Sequence, residues 1–232
     1  MAAEPTHARA GRPSSHSEAI EDYAKAIYAL SQRRGGPVGT SELAERLGVT
    51  PSTASAMVKR LGEQGLVSHQ LYRGVTLTPA GEKVALEVIR HHRLLEAYLS
   101  EVLGMPWDRV HEEAEVLEHY ISEDLESLIA AKLGEPSHDP HGDPIPGPDL
   151  EPLPADGSRS LADVEVGAVV TVTRVSDSDP EMLRYLSERG ITPGARLEIL
   201  DREPFEGPLL VRAEGSTHAL SGVLAARMRV IG

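Results

Sequence analysis

A chain of 232 residues, 40% hydrophobic and 25% charged, is long enough for one to three domains with real cores. No apolar run approaches the roughly 18 residues a membrane span needs, and the absence of cysteine excludes both a disulfide framework and a thiolate metal site. The net charge of −13 would argue against nucleic acid if it were uniform, but residues 1–78 hold nine Lys and Arg against seven Asp and Glu, or +2, leaving −15 for the rest. A neutral-to-basic module is thus joined to an acidic body, and that body with ten histidines in the chain suits a cation binder. The polar stretch 1–16 lacks the apolar segment of a signal peptide, so a cytoplasmic protein is expected.

In chain order, Ser17 to Arg33 reads as a helix, with Ile20, Tyr23, Ala24, Ile27, Tyr28 and Leu30 forming its apolar stripe. Thr40 or Ser41 caps a short helix, Glu42 to Leu47, stopped by Gly48; Thr50 caps another that opens on Pro51 and runs to about Gln64. Two β-prone runs flank Arg73-Gly74 and predict a hairpin. Pro79 opens a long helix to about Leu103, and Asp108 to Ala131 continues helically with a break near Ser122. Gly134 to Pro154 is proline-rich and without apolar period, so it reads as a stiff linker. Short β runs follow at Ala168–Val175, Arg196–Leu200, Leu209–Arg212 and Met228–Ile231, with one helix at Pro180–Arg189; about 70 residues of this kind suit a small barrel.

Helix, tight turn, helix and hairpin over 41–78 make a winged helix-turn-helix, whose second helix can enter the major groove. Thr50, Ser52, Thr53, Ser55 and Ala56, with Pro51 in the first turn, form its groove-facing edge, while Met57, Val58 and Leu61 face the core. Small hydroxyls and an alanine touch phosphates and thymine methyls but offer no bidentate arginine, so specificity leans on DNA shape; Lys59, Arg60 and wing Arg73 are the expected backbone contacts.

Glu115, Glu118 and His119 stand at i, i+3 and i+4, sharing one helix face, with His111 at its edge. Two carboxylates and an imidazole converging there would be costly to desolvate without a cation between them. The preceding helix repeats the device with His92 and Glu96 at i, i+4. Oxygen and nitrogen donors without sulfur favour Mn(II), Fe(II), Co(II) or Zn(II), with Mn(II) suiting the carboxylate-rich set best.

Together these residues resemble the diphtheria toxin repressor family, near its manganese-transport-regulator branch. The matching stretches are Glu21-Asp22-Tyr23, Leu43-Ala44 to Ser55, Leu77-Thr78-Pro79-Ala80-Gly81, His91-His92-Arg93-Leu94-Leu95-Glu96, His111 to His119, Asp139-Pro140-His141-Gly142 and Gly190-Ile191-Thr192-Pro193-Gly194. The resemblance implies a mainly α architecture: a winged helix-turn-helix over 17–78, a helical dimerisation and metal-binding domain over 79–133, the linker 134–159, and an SH3-like (FeoA-type) barrel over 160–232. It implies about two metal sites per subunit. A primary site would use Asp22, Glu115, Glu118 and His119; an ancillary one would use His92, Glu96 and His111 with Glu181 and Asp179 from the barrel. It further implies a homodimer on double-stranded operator DNA, one or two dimers per operator, with Mn(II) as co-repressor of metal-homeostasis genes. Asp22 and Glu115 stand where iron-responding members carry sulfur ligands. Lys25 stands where barrel-less manganese members carry a carboxylate, which tells against their coupled two-metal arrangement and for a separate ancillary site.

Three other readings remain at this point. An Fe(II)-dependent repressor of the same family keeps every feature but the metal. A winged-helix regulator with an organic ligand in its helical body would show no saturable Mn(II) binding. A metal-dependent hydrolase would need an open coordination position, a nucleophile or an oxyanion device, and none is evident in the motifs, so no enzyme is expected.

Overall fold

Helix α1 (Glu18–Arg34) buries the stripe read from its spacing, and Gly35 ends it in the left-handed conformation, its N–H closing on the Ser31 carbonyl. This computed structural model describes residues 17–70, 74–153, 157–205 and 207–232. Helices α2 (Thr40–Arg46) and α3 (Pro51–Glu63) follow, the first starting two residues before its expected Glu42, with Gly39 at its N-cap. Thr50 caps α3 through the Thr53 amide. Strands β1 (Val67–Gln70) and β2 (Gly74–Leu77) pair antiparallel as the wing, whose tip lies outside the described residues. Val38 bridges to Val75, tying the wing to the loop before α2. Ile27, Leu43, Ala54, Val58, Leu61 and Val75 form one core.

The long helix α4 (Pro79–Glu101) begins where Gly81 meets β1's approach: a Cβ at Gly81 would lie 2.0 Å from the Leu66 carbonyl oxygen, so only glycine fits. Helix α5 (Val110–Leu117) and helix α6 (Glu123–Leu133) are separated at the expected break, where Ser122 caps α6 through the Leu125 amide. Val84, Leu86, Val88, Ile89, Leu94, Leu95 and Leu99 of α4 are all buried within the single chain.

The remaining strands are β3 (Arg159–Ser160), β4 (Val169–Val175), β5 (Arg196–Arg202), β6 (Leu209–Ala213), β7 (Ser216–Leu220) and β8 (Met228–Ile231), with helices α7 (Pro180–Ser187) and α8 (Gly222–Ala226). They form a six-stranded sheet in the order β3-β8-β4-β5-β6-β7. That order is linear. Among the described residues no pairing joins β3 to β7, so the expected barrel is an open sheet curled over Val172, Leu183, Leu197, Ile199 and Val211.

The chain packs as two units: one takes the chain up to Leu94 with Glu115–Glu135 and Ile145–Leu153, the other Leu95–Ala114, Pro136–Pro144 and the C-terminal part. The proline-rich stretch therefore does more than space two bodies. In the first unit, the Arg90 guanidinium donates to the Pro146 carbonyl at 2.6 Å. In the second, Asp139 accepts from the His141 and Asp143 amides at 2.8 and 2.9 Å, closing a turn whose buried His141 accepts the Val175 amide on its carbonyl. Prolines hid this from a periodicity reading because the segment is held by turn and side-chain bonds, with no repeating apolar face.

Candidate metal centre and reading surface

In the first unit, α1 and the end of α5 meet through charges. Asp22 Oδ1 lies 3.1 Å from His119 Nε2, and Glu118 Oε1 lies 3.6 Å from the same nitrogen. The far ring nitrogen, Nδ1, is held at 2.5 Å by Glu21 Oε2, and the Glu21 side chain is buried. A carboxylate on one imidazole nitrogen fixes the ring so that the other faces the donors, which is how metal-binding histidines are oriented. Glu21 was missed from the sequence. Its only signal is its place beside Asp22, on the side of α1 that also buries Ile20 and Ala24.

Glu115 stands apart from that trio. It groups with His92 and Glu118, and the Lys25 ammonium sits among them. Nζ donates to Glu115 Oε1 at 2.6 Å and to the two Glu118 oxygens at 2.8 and 3.0 Å, and lies 3.2 Å from His92 Nδ1. Burial alone would lower the Lys25 pKa, but Glu118 and Glu115 outweigh it and hold it above the ordinary 10.5. His92 Nδ1 is also 2.5 Å from Glu118 Oε2. His92 is thus placed on Glu118, as well as one helical turn before Glu96.

In the second unit, His111 Nδ1 lies 3.2 Å from both Glu96 Oε1 and Asp177 Oδ2. The carboxylate brought to His111 from the β4–α7 loop is Asp177, which the sequence reading passed over in favour of Asp179 and Glu181. Asp179 is committed elsewhere, capping α7 by accepting from the Glu181 and Met182 amides at 3.0 and 3.1 Å, and Glu181 is exposed on the first turn of that helix. Beneath Glu96 lies buried His141, its Nδ1 3.6 Å from Glu96 Oε2, its Nε2 2.7 Å from the Trp107 carbonyl and its ring stacked on Trp107.

Carboxylates crowd these histidines and raise their affinity for protons. Asp22 and then Glu21 raise His119 to about 10, against burial. Burial would lower His111, but Asp177 and Glu96 carry it to about 10; burial would likewise lower His141, but Glu96 carries it to about 9. Sites of nitrogen and oxygen donors that hold protons this firmly have the chemistry to hold a hard or borderline divalent ion instead.

On the reading helix, Thr50, Pro51, Ser52, Thr53, Ser55, Ala56, Lys59 and Arg60 are all exposed, whereas Val58 and Leu61 are buried and Met57 half-buried. Some of the hydroxyls serve the helix first: Thr50 caps it and Ser55 donates to the Pro51 carbonyl at 2.8 Å. Arg73 lies outside the described residues.

A winged helix-turn-helix followed by a helical body with acid–imidazole clusters and a small sheet domain defines a DNA-binding metalloregulator. The "Iron dependent repressor, N-terminal DNA binding domain" matches residues 16–75, the "Iron dependent repressor, metal binding and dimerisation domain" matches 78–147, and the FeoA domain matches 159–231. The iron-dependent repressor IdeR of Mycobacterium tuberculosis is 33% identical over 193 residues, 78% of this chain and 84% of that protein. The diphtheria toxin repressor of Corynebacterium glutamicum is 30% identical over 223 residues, 92% and 96% of the two chains. A solved manganese-dependent transcriptional repressor in complex with manganese superposes with a TM-score of 0.85 at 45% identity, covering 92% of this chain and 99% of that one. The chain belongs to the iron-dependent (diphtheria toxin) repressor family of metal-dependent transcriptional repressors. Membership brings DNA binding and dimerisation with it. Among the described residues, no helix is long and apolar enough to cross a membrane.

Proposed function

We propose that this repressor uses Mn(II) as its co-repressor, bound by Asp22, Glu118 and His119, with Glu115 as a further donor. The observation that carries this reading is the meeting of Asp22, on the helix packed against the reading unit, with Glu118 and His119 at the end of α5. The donor set contains no sulfur, which favours Mn(II) over softer ions. A bound dication supplies the charge that three converging carboxylates lack. Asp22 then ties α1 to the α5 end, Glu21 holds His119 in line, and α1 carries α2 and α3 with it through their shared core.

Holding that arrangement sets the two reading helices of a dimer at the spacing of successive major-groove faces. The shift between free and bound arrangements is limited to the differential affinity of the ion for the two. Val116, Leu117, Tyr120, Leu125 and Leu128, exposed apolar residues of the α5–α6 region, are the dimer contact in this reading. Glu96, His111 and Asp177 form the ancillary site, with His92 one turn earlier on α4. The protein acts in the cytoplasm as a regulator without catalysis.

Iron keeps a specific claim, since the curated relatives are named iron-dependent repressors. Duplex DNA selected from random sequence with the Mn(II)-loaded protein provides the operator. Its affinity for chelator-treated protein, titrated in turn with Mn(II), Fe(II), Co(II) and Zn(II), tests the reading. Mn(II) should activate binding at the lowest free concentration relative to its cellular supply. Operator affinity that ignores every metal would sink it.

A further inference from the structure

Helix α5 ends at Leu117, so Glu118 and His119 stand in the turn beyond its last helical residue. Carbonyls at a helix C-terminus have no following turn of helix to supply them with amides, and a side chain there is only as well placed as the backbone that carries it. The Glu118 carbonyl takes its partner from another helix. His91 Nδ1, on α4, lies 3.2 Å from it, and because a carbonyl oxygen only accepts, Nδ1 carries the hydrogen. The ring is held at its far end too, where Nε2 lies 3.0 Å from Glu126 Oε2. Glu126 also receives Arg90 Nε at 2.6 Å, and Arg90 reaches on to the Pro146 carbonyl. His91, Arg90, Glu126 and Glu118 are all buried.

Resting on the manganese reading above, we propose that His91 is a positioning residue for Mn(II): its Nδ1–H fixes the backbone at Glu118 and so presents the Glu118 and His119 side chains beside Asp22. By spacing alone His91 would also suit an ion shared with Glu87 and Glu123, but both of its ring nitrogens are already committed, one to the Glu118 carbonyl and one to Glu126. It therefore acts through the chain. Glu21 and His91 divide the work: Glu21 turns the ring of His119, and His91 sets the backbone from which Glu118 and His119 project. Donors held in place beforehand bind more tightly, because the cost of ordering them is not charged to the binding step.

The two ring nitrogens can be removed one at a time. In His91→Asn the amide nitrogen stands as many bonds from Cβ as Nδ1 does, so the tie to Glu118 survives and the tie to Glu126 is lost; in His91→Gln the amide nitrogen matches Nε2, and the reverse holds. Thermal melts of the chelator-treated whole chain, and calorimetric titration of the same protein with MnCl2, read the two effects. Without metal, His91→Asn should melt lower than His91→Gln, because it gives up the hydrogen bond to a charged group. Mn(II) affinity should run the other way, near wild type in His91→Asn and about 10-fold weaker in His91→Gln. A His91→Gln protein that binds Mn(II) as tightly as wild type overturns the proposal. So does affinity that follows the melting temperature, which is what a merely structural histidine would give. In metal-free wild type the Nδ1 proton of His91 should appear as a slowly exchanging signal in nitrogen-15 NMR; a ring without one overturns the proposal, and that measurement needs no variant. Wild type and Asp22→Ala that take up Mn(II) alike would instead overturn the manganese site itself, and this proposal with it.

Discussion

The two acid–imidazole clusters solve the same electrostatic difficulty differently. In the first unit the carboxylates of Glu115 and Glu118 close on an ammonium, while His119 sits between Asp22 and Glu21. In the second, the donors set around Glu96 and Asp177 are imidazoles, those of His111 and His141, both pushed well above the ordinary histidine value. They also differ in what they are attached to. Asp22 and Glu21 stand on α1, which shares a core with α2 and α3, whereas Glu96, His111 and Asp177 stand in the unit that contains the C-terminal sheet. A cluster is coupled to DNA reading only if occupying it biases an element that carries the reading helix. On that criterion we propose the first cluster as the switch and the second as an adjunct.

The largest effect should come from cutting Asp22, the proposed ligand that stands on α1. Asp22→Ala should abolish the Mn(II) enhancement of operator affinity, a loss on the order of 100-fold, the usual upper size of such a coupling. Fluorescence anisotropy on the selected operator, with and without metal, checks it. An Asp22→Ala protein that kept its enhancement would reverse the ranking of the clusters.

Next in size is a control that separates metal-binding charge from structural charge. Glu126 is buried in the same unit, paired with Arg90 at 2.6 Å and His91 at 3.0 Å. Burial would raise its carboxyl, but the hydrogen bonds from His91 and Arg90 outweigh that and hold it below the ordinary 4.5. A lowered carboxyl contributes stability that is complete above its unfolded value and is lost as pH falls through the folded one. Glu126→Gln should cost about 2 kcal/mol at neutral pH, since it breaks a buried pair but keeps one hydrogen bond. It should also flatten the acid limb of the melting temperature below about pH 4.5. Thermal melts across pH, with Mn(II) affinity measured beside them and expected to be unchanged, check both parts.

Much of this was legible beforehand, and what was not has a common cause. The stripe from Ile20 to Leu30, the cap at Thr50, the break at Ser122 and the Glu118–His119 pair are local patterns, and local patterns survive in one dimension. The misses depend on partners distant in sequence. Lys25 stood out in the sequence only as a departure from a carboxylate, and its place among Glu115 and Glu118, 90 and 93 positions later, is set by the fold. Asp177 lies in a loop whose reach is set by β4, while Asp179 and Glu181, expected from the resemblance alone, stand at the cap and on the exposed first turn of α7. Strand β7, reading Ser-Thr-His-Ala-Leu, carries too few apolar residues to announce an edge strand, which backbone pairing to β6 and the buried Leu220 hold in place. Gly142 marks the same limit: a Cβ there would sit 1.9 Å from the Thr173 carbonyl oxygen, so the turn under Glu96 depends on a glycine whose reason is in β4.

Within the switch itself, Glu21→Gln should lower Mn(II) affinity about 10-fold, the lower end for loss of an outer partner of a metal-bound histidine. Calorimetry on folded protein measures it, and an unchanged affinity would return Glu21 to a merely structural place.

The smallest effect should fall on the adjunct. His111→Ala removes the central imidazole between Glu96 and Asp177, so the second unit should lose its ion in direct metal analysis. Operator affinity at saturating Mn(II) should nevertheless fall by less than about 10-fold, because His111 and Asp177 stand outside the elements of the reading core, and Glu96, although on α4, lies beyond the part of that helix, up to Ile89, that packs into it. The sharper measurement is the Mn(II) concentration at half-activation, compared between His111→Ala and wild type. If the second ion only steadies its own unit, the midpoint stays and the maximum dips slightly. If His111→Ala silences DNA binding as fully as Asp22→Ala does, the two clusters form one switch, and the distinction drawn from their attachment points fails.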